Sequence, residues 1–192
     1  MYLFILINFF FMTNETNIEY AYFGGGCFWC IEAAFEELKG VSQVTSGYAG
    51  GSKSNANYKS VSSGTTKHTE ICEIKYNPKQ ISYETLLEIF FLAHDPTTLN
   101  KQGNDIGPQY KSIVFYSNRE EKETAFNYII QLENRKIYTH IVTELQPLME
   151  FYPAEKYHQD YFKLNPRQPY CALIIEPKIQ KLRKELKKYY PN

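Results

Sequence analysis

The feature that most limits what this chain can fold into is a glycine triplet, Gly24-Gly25-Gly26, set between two segments of different period. Before it, Ile18 to Phe23 is short, aromatic and β-branched, the signature of a strand. After it, Phe28, Ile31, Ala34, Phe35 and Leu38 recur at three- and four-residue spacing until Gly40. That spacing predicts a helix with Cys27 at its N-terminus, entered through a tight turn that the glycines permit. Val41 to Tyr48 and His68 to Tyr76 then alternate as strands, joined by a long Gly/Ser/Asn loop from Gly50 to Thr66. Tyr83 to Ala93 reads as a helix behind Ser82, and a second long loop, His94 to Tyr110, leads to a strand at Ser112 to Tyr116. The order β-α-β-β-α-β is the split, ferredoxin-like arrangement. It predicts an α+β protein, a two-layer α/β sandwich with two helices on one face of a sheet.

Beyond this core the pattern predicts a charged amphipathic helix at Asn118 to Lys136, a strand at Ile137 to Leu145 and a short helix at Ala154 to Lys163. A Pro-broken coil from Leu164 to Tyr170 and a basic helical tail, KIQKLRKELKKYY, complete it; such a charge run is usually a solvated face. No repeat or linker divides the chain, so residues 12–192 are expected to be one domain. Residues 1–11, MYLFILINFFF, fall short of the roughly 20 residues a membrane helix needs. They also lack the flanks of a secretory signal. They read best as an upstream extension before a start at Met12, with a weak signal as the alternative.

The 21 Lys plus Arg match the 21 Asp plus Glu, so nothing draws the chain to nucleic acid or an anionic membrane. The 4 Cys are too few for a disulfide scaffold, but Cys27 and Cys30 have the Cys-x-x-Cys spacing of redox or metal sites. A helix N-terminus favours a thiolate, which makes Cys27 the candidate nucleophile. Two adjacent aromatics cannot both face inward, so of Phe28 and Trp29 one is expected to line a surface pocket. Cys72 shares a strand face with His68 and Glu70 and reads as a buried structural thiol. The four His lack paired spacing and read as surface or structural groups.

The GCFWC segment after a glycine turn resembles the active-site signature of peptide methionine sulfoxide reductases of the A type. Four further segments carry the likeness: His68-Thr69-Glu70; Asn57-Tyr58 with Gly64; His94-Asp95-Pro96-Thr97-Thr98 with Gln102 to Tyr110; and Tyr157-His158-Gln159-Asp160-Tyr161. The resemblance spans roughly Ile18 to Lys178. It implies reduction of methionine sulfoxide, S epimer, in proteins and as the free amino acid. Cys27 would attack, Glu70 donate a proton, Tyr58 and Tyr110 hydrogen-bond the sulfoxide oxygen and Asp105 brace the polar network. Trp29 with Phe28 would hold the substrate methyl. Glu70 can keep a proton near neutral pH only if burial raises its pKa.

Attack would leave a sulfenic acid on Cys27, and either Cys171 or Cys30 would resolve it as a disulfide. Cys171 is favoured slightly, because a flexible Pro-flanked coil approaches the helix start more easily than Cys30 can turn back along its own helix. The resemblance implies no metal and no cofactor, thioredoxin or another dithiol as reductant, a cytoplasmic location and a monomer. Lys67, where Gly is usual, and Ser62, where a Cys is common, depart from the pattern, and the tail lacks a further relay cysteine. Two rivals remain: a thioredoxin-like dithiol-disulfide oxidoreductase using Cys27 and Cys30, and a structural zinc domain using Cys27, Cys30, Cys72 and one His.

Overall fold

The computed structural model describes residues 17–191, so the proposals for residues 1–11 and for a start at Met12 lie outside the described residues. In chain order the elements are β1 (Glu19–Gly25), α1 (Phe28–Phe35), β2 (Val41–Ala49), α2 (Tyr58–Ser62), β3 (Thr69–Tyr76) and α3 (Tyr83–Ala93). A small ribbon, β4 (Lys101–Gln102) and β5 (Asp105–Ile106), precedes β6 (Ser112–Tyr116) and α4 (Arg119–Asn134). Then come β7 (Glu144–Pro147), β8 (Phe151–Pro153), α5 (Tyr161–Leu164) and α6 (Glu176–Glu185).

Six strands form one sheet in the order β7-β6-β1-β3-β2-β8. Its inner four strands are the expected split βαβ: β3 lies antiparallel between β1 and β2, and β6 runs antiparallel to β1 on the other side. The register places Tyr48 opposite Glu70 and Phe23 opposite Cys72. The end of β1 therefore lies beside the start of β3, where β1 turns into α1. Gly24 makes this approach possible, since a Cβ there would sit 2.7 Å from the Glu70 carbonyl oxygen. Gly26 makes the turn, with φ +91°, a conformation that residues with a Cβ rarely adopt.

The helical face of the sheet carries most of the core. Phe23 stacks on Phe90 of α3 at 4.9 Å and meets Phe35 of α1 at 5.8 Å, and each such buried ring is worth about 1.5–3 kcal/mol. The opposite face is not bare, as two helices on one side would leave it. Tyr22, Ala49, Ile71, Ile113 and Phe115 form a second cluster there, capped by Leu148 and Phe151 of the segment around β7 and β8. Strand β8, which has no alternating pattern of its own, exists because Phe151 closes over this cluster.

Four other expectations change. Of the Ile137 to Leu145 stretch only Glu144 and Leu145 are strand, opening a β7 that runs on to Pro147. Before it, Ile141 N–H donates to Glu133 (3.0 Å) and Val142 N–H to the Pro96 carbonyl (2.8 Å), so these amides are satisfied outside a ladder. The Ala154 to Lys163 helix is a 3-10 turn (Lys156–His158) and the single turn α5, broken where Asp160 adopts φ +51°. The loop from Gly50 to Thr66 contains α2, capped by the Asn57 side chain accepting from Ser60 N–H at 3.0 Å. Finally, the Pro-flanked segment is coil and turn only over residues 165–168, and the chain is helical from Pro169. It enters a π-helical turn at Cys171–Ile175 that runs into α6, whose Ile179 and Leu182, with Leu186 and Tyr190 beyond, are buried in the main core. The basic tail is thus solvated on one face and core on the other. It is fastened by the Tyr190 hydroxyl on the Ala34 carbonyl (2.7 Å) and by the Arg183 fork on Glu37 (2.8 and 3.0 Å).

Candidate active site

The joint between β1 and α1 gathers the predicted residues. Cys27 is the N-cap of α1 and is buried; its carbonyl accepts from Cys30 N–H at 3.0 Å, which folds the two cysteines onto one helical turn. Glu70, 2% exposed, receives Phe28 N–H at 3.1 Å on Oε2. Burial pushes its carboxyl up to about 8, with the Phe28 N–H opposing and Asp105 and Cys30 adding to the rise. The shift is in the direction a proton donor at neutral pH needs, and desolvation is its largest cause.

The thiols depart from expectation. A helix start was to favour the Cys27 thiolate, yet burial pushes this thiol up, and so does its hydrogen bond with Cys30. The Trp29 backbone opposes this without prevailing. The Cys30 thiol is brought down to about 7 by its interaction with Cys27 against its own burial, with help from Lys178 and Tyr170. In an eight-residue helix whose first turn is enclosed, loss of hydration outweighs the end charge. All four cysteines are free thiols.

Tyr58, on α2, and Tyr110, just after the β4–β5 ribbon, are half-buried. Burial first, then the nearby Glu70 and Cys27, push both phenols up, so both keep their protons and can donate. Glu155 braces this wall, accepting from Tyr58 N–H and from the Tyr48 hydroxyl, each at 2.9 Å. Asp105 accepts from the Tyr170 hydroxyl at 2.7 Å, and the same oxygen lies 3.8 Å from Cys30 Sγ. Tyr170, adjacent to Cys171, is a site residue that no periodic or motif signal marked.

Phe28 and Trp29 divide as predicted. Phe28 is buried against Tyr48 and His158, whereas Trp29 is half-buried and lies flat on Tyr161, ring centres 3.6 Å apart and 5° between planes. The His158 ring sits 4.4 Å from Tyr58 and 5.5 Å from Trp29, kept neutral by burial. His94 is structural, bridging the Phe90 carbonyl (2.6 Å) and Ser112 Oγ (2.7 Å), and burial brings it down to about 4. Cys72 is fully buried beneath α1, its Sγ bonded to the Phe28 carbonyl at 3.3 Å. Cys171 is also fully buried, and its thiol is pushed up by burial and by Cys30. It sits at the start of the π-helical turn, behind a short coil at residues 165–168, rather than in the coil itself. Among the described residues no group of three or more His, Cys, Asp or Glu side chains is arranged to hold a metal ion. No helix there is long and apolar enough to cross a membrane.

A family model described as peptide methionine sulfoxide reductase matches residues 19–190. The chain belongs to this family. It is accordingly an oxidoreductase. The peptide methionine sulfoxide reductase MsrA of Nautilia profundicola is 52% identical over 161 residues, covering 84% of this chain and 92% of that protein. Among solved structures, reduced Mxr1 of Saccharomyces cerevisiae superposes with a TM-score of 0.75 at 31% identity, covering 81% of this chain and 90% of that one. Methionine sulfoxide reductase A of Corynebacterium diphtheriae gives 0.70 at 35%, covering 81% and 78%. Mxr1 in complex with Trx2 shares the fold, with a TM-score of 0.54 at 21% identity over 76% of this chain and 86% of that one.

Proposed function

We propose that the chain reduces the S epimer of methionine sulfoxide, in proteins and as the free amino acid, through a sulfenic acid on Cys27. The observation that carries this is a buried carboxyl, Glu70, held by the Phe28 N–H and pushed up to about 8 by burial, beside a buried cysteine pair and two half-buried phenols. Glu70 protonates the sulfoxide oxygen, which Tyr58 and Tyr110 hold, and Asp105 braces the network. Sulfur thereby becomes electrophilic, and the Cys27 thiol delivers its sulfur while its proton passes to the neighbouring Cys30 thiolate. The new bond between the two sulfurs then breaks as the hydroxyl passes from the methionine sulfur to Cys27, giving methionine and Cys27 sulfenic acid. Trp29, backed by Phe28, holds the methyl group.

A second thiol then displaces water from the sulfenic acid and forms a disulfide. Cys30, on the same helical turn as Cys27, takes this step first, and Cys171, buried in the same core cluster, follows by exchange. A dithiol such as thioredoxin restores the thiols, a partner supported by the Mxr1–Trx2 complex. Free thiols suit a reducing compartment, and we place the protein in the cytoplasm, acting as a monomer without cofactor. The test is single-turnover release of methionine from S and R sulfoxides with wild type and Cys27→Ser. S-selective release by wild type and none by the variant is expected; release by Cys27→Ser overturns the nucleophile.

A further inference from the structure

Glu32 is a buried acid that the chemistry above does not use. It lies on α1 at 2% exposure, and both of its oxygens accept from backbone outside the helix: Oε1 from Asp160 N–H at 3.0 Å and Oε2 from Tyr161 N–H at 3.1 Å. Those amides open α5, a turn of four residues whose N-cap, Asp160, makes no side-chain cap bond and holds φ +51°. A single turn with a left-handed non-glycine entry does not stand alone; something outside must supply acceptors for its first amides. Glu32 supplies them. The residue so held, Tyr161, lies flat on Trp29.

We propose that Glu32 is a positioning residue for substrate binding: by fixing the backbone of Asp160 and Tyr161 it holds the Tyr161 ring against Trp29 and so sets the wall that receives the substrate methyl. This rests on the assignment of Trp29 to that wall. Glu32 is two residues past the second cysteine of the pair and touches no reacting atom; it acts only through Tyr161. The preceding residue is anchored separately. The Gln159 amide bonds Ser46 N–H and the Ser46 carbonyl, each at 2.9 Å, and the Ala154 carbonyl at 3.0 Å, so this segment stays on β2 when Glu32 is changed.

The chain has 1 Trp, so tryptophan spectroscopy reads this stack directly. Glu32→Ala removes both acceptors, and Glu32→Gln keeps one. The expected result for Glu32→Ala is unchanged far-ultraviolet circular dichroism, loss of the near-ultraviolet tryptophan signal and stronger acrylamide quenching. KM for methionine sulfoxide with dithiothreitol as reductant rises about tenfold while kcat stays within about twofold, the pattern of lost ground-state and transition-state binding alike. Glu32→Gln falls between wild type and Glu32→Ala on each measure, and it decides the matter should the alanine variant not fold. A wild-type tryptophan signal in both variants overturns the proposal, as does a fall in kcat with KM unchanged. A disturbed tryptophan signal with unchanged KM leaves Glu32 holding the stack but removes the wall from substrate binding. Loss of turnover by wild type on every sulfoxide would instead strike the proposed reaction and leave the spectroscopic result standing.

Discussion

Replacement of Glu70 by Gln tests the proton donor with the least structural disturbance. The amide is isosteric with the protonated carboxyl, and its oxygen can still accept from Phe28 N–H. With a midpoint near 8, about ten Glu70 carboxyls are protonated at pH 7 for each ionised one, whereas about one in three hundred is protonated at the ordinary 4.5. The shift, led by burial, thus raises the population of working donors about 300-fold. Glu70→Gln is expected to lower the single-turnover rate by about 10²- to 10⁴-fold, the usual worth of a positioned general acid. The wild-type rate, limited by this donor, should fall about tenfold per pH unit above about 8, a limb the variant lacks.

Stability gives a second check. Glu70 has a higher pKa folded than unfolded, so folding takes up a proton between 4.5 and about 8. Its ionisation therefore lowers stability as pH rises through that window, and Glu70→Gln flattens the slope. Stopped-flow measurement of methionine release from pH 6 to pH 9, with urea melts at the same pH values, reads both effects. A variant that keeps the wild-type rate and the same alkaline limb refutes the assignment.

The cysteine order is tested by mass mapping after one equivalent of substrate. Cys171→Ser should stop at a Cys27–Cys30 disulfide and wild type should show the exchanged Cys30–Cys171 disulfide, while Cys30→Ser releases one methionine per enzyme and loses thioredoxin-dependent recycling; a disulfide from Cys27 to Cys171 in wild type or in Cys30→Ser reverses the order. Tyr58→Phe and Tyr110→Phe should each lower kcat about tenfold, near the value of one hydrogen bond to developing charge, with little change in melting temperature; undiminished kcat in both removes the phenols from the reaction. Gly26→Ala forces a Cβ to φ +91° and to 2.6 Å from Gln102 Cγ, on the ribbon that carries Asp105. A loss of about 1–3 kcal/mol in urea unfolding is expected, and an unchanged midpoint would show that the turn tolerates a side chain.

What could be read directly was local. The strand, glycine turn and helix around Cys27, the four core strands and the helix behind Ser82 depend on periodicity, on backbone freedom at Gly26 or on short-range spacing, which the chain carries in itself, whereas Glu70, Tyr58, Tyr110 and Asp105 were marked by the family resemblance. The edges were less legible, because β8 and the one-turn α5 have no pattern of their own: they form where Phe151 covers a distant cluster and where Glu32, about 130 positions earlier, accepts from Asp160 and Tyr161. The tail looked solvated because its charges outnumber the Ile179, Leu182, Leu186 and Tyr190 stripe that enters the core. The sequence alone determined that a cysteine pair would open a helix beside a strand carboxylate. Only the tertiary structure decided that Glu70 is buried enough for its carboxyl to be pushed up, that Cys27 and Cys30 share one enclosed helical turn and that Cys171 is buried. Those properties are set by how completely segments far apart in the chain exclude water from each group, and no local pattern encodes that exclusion.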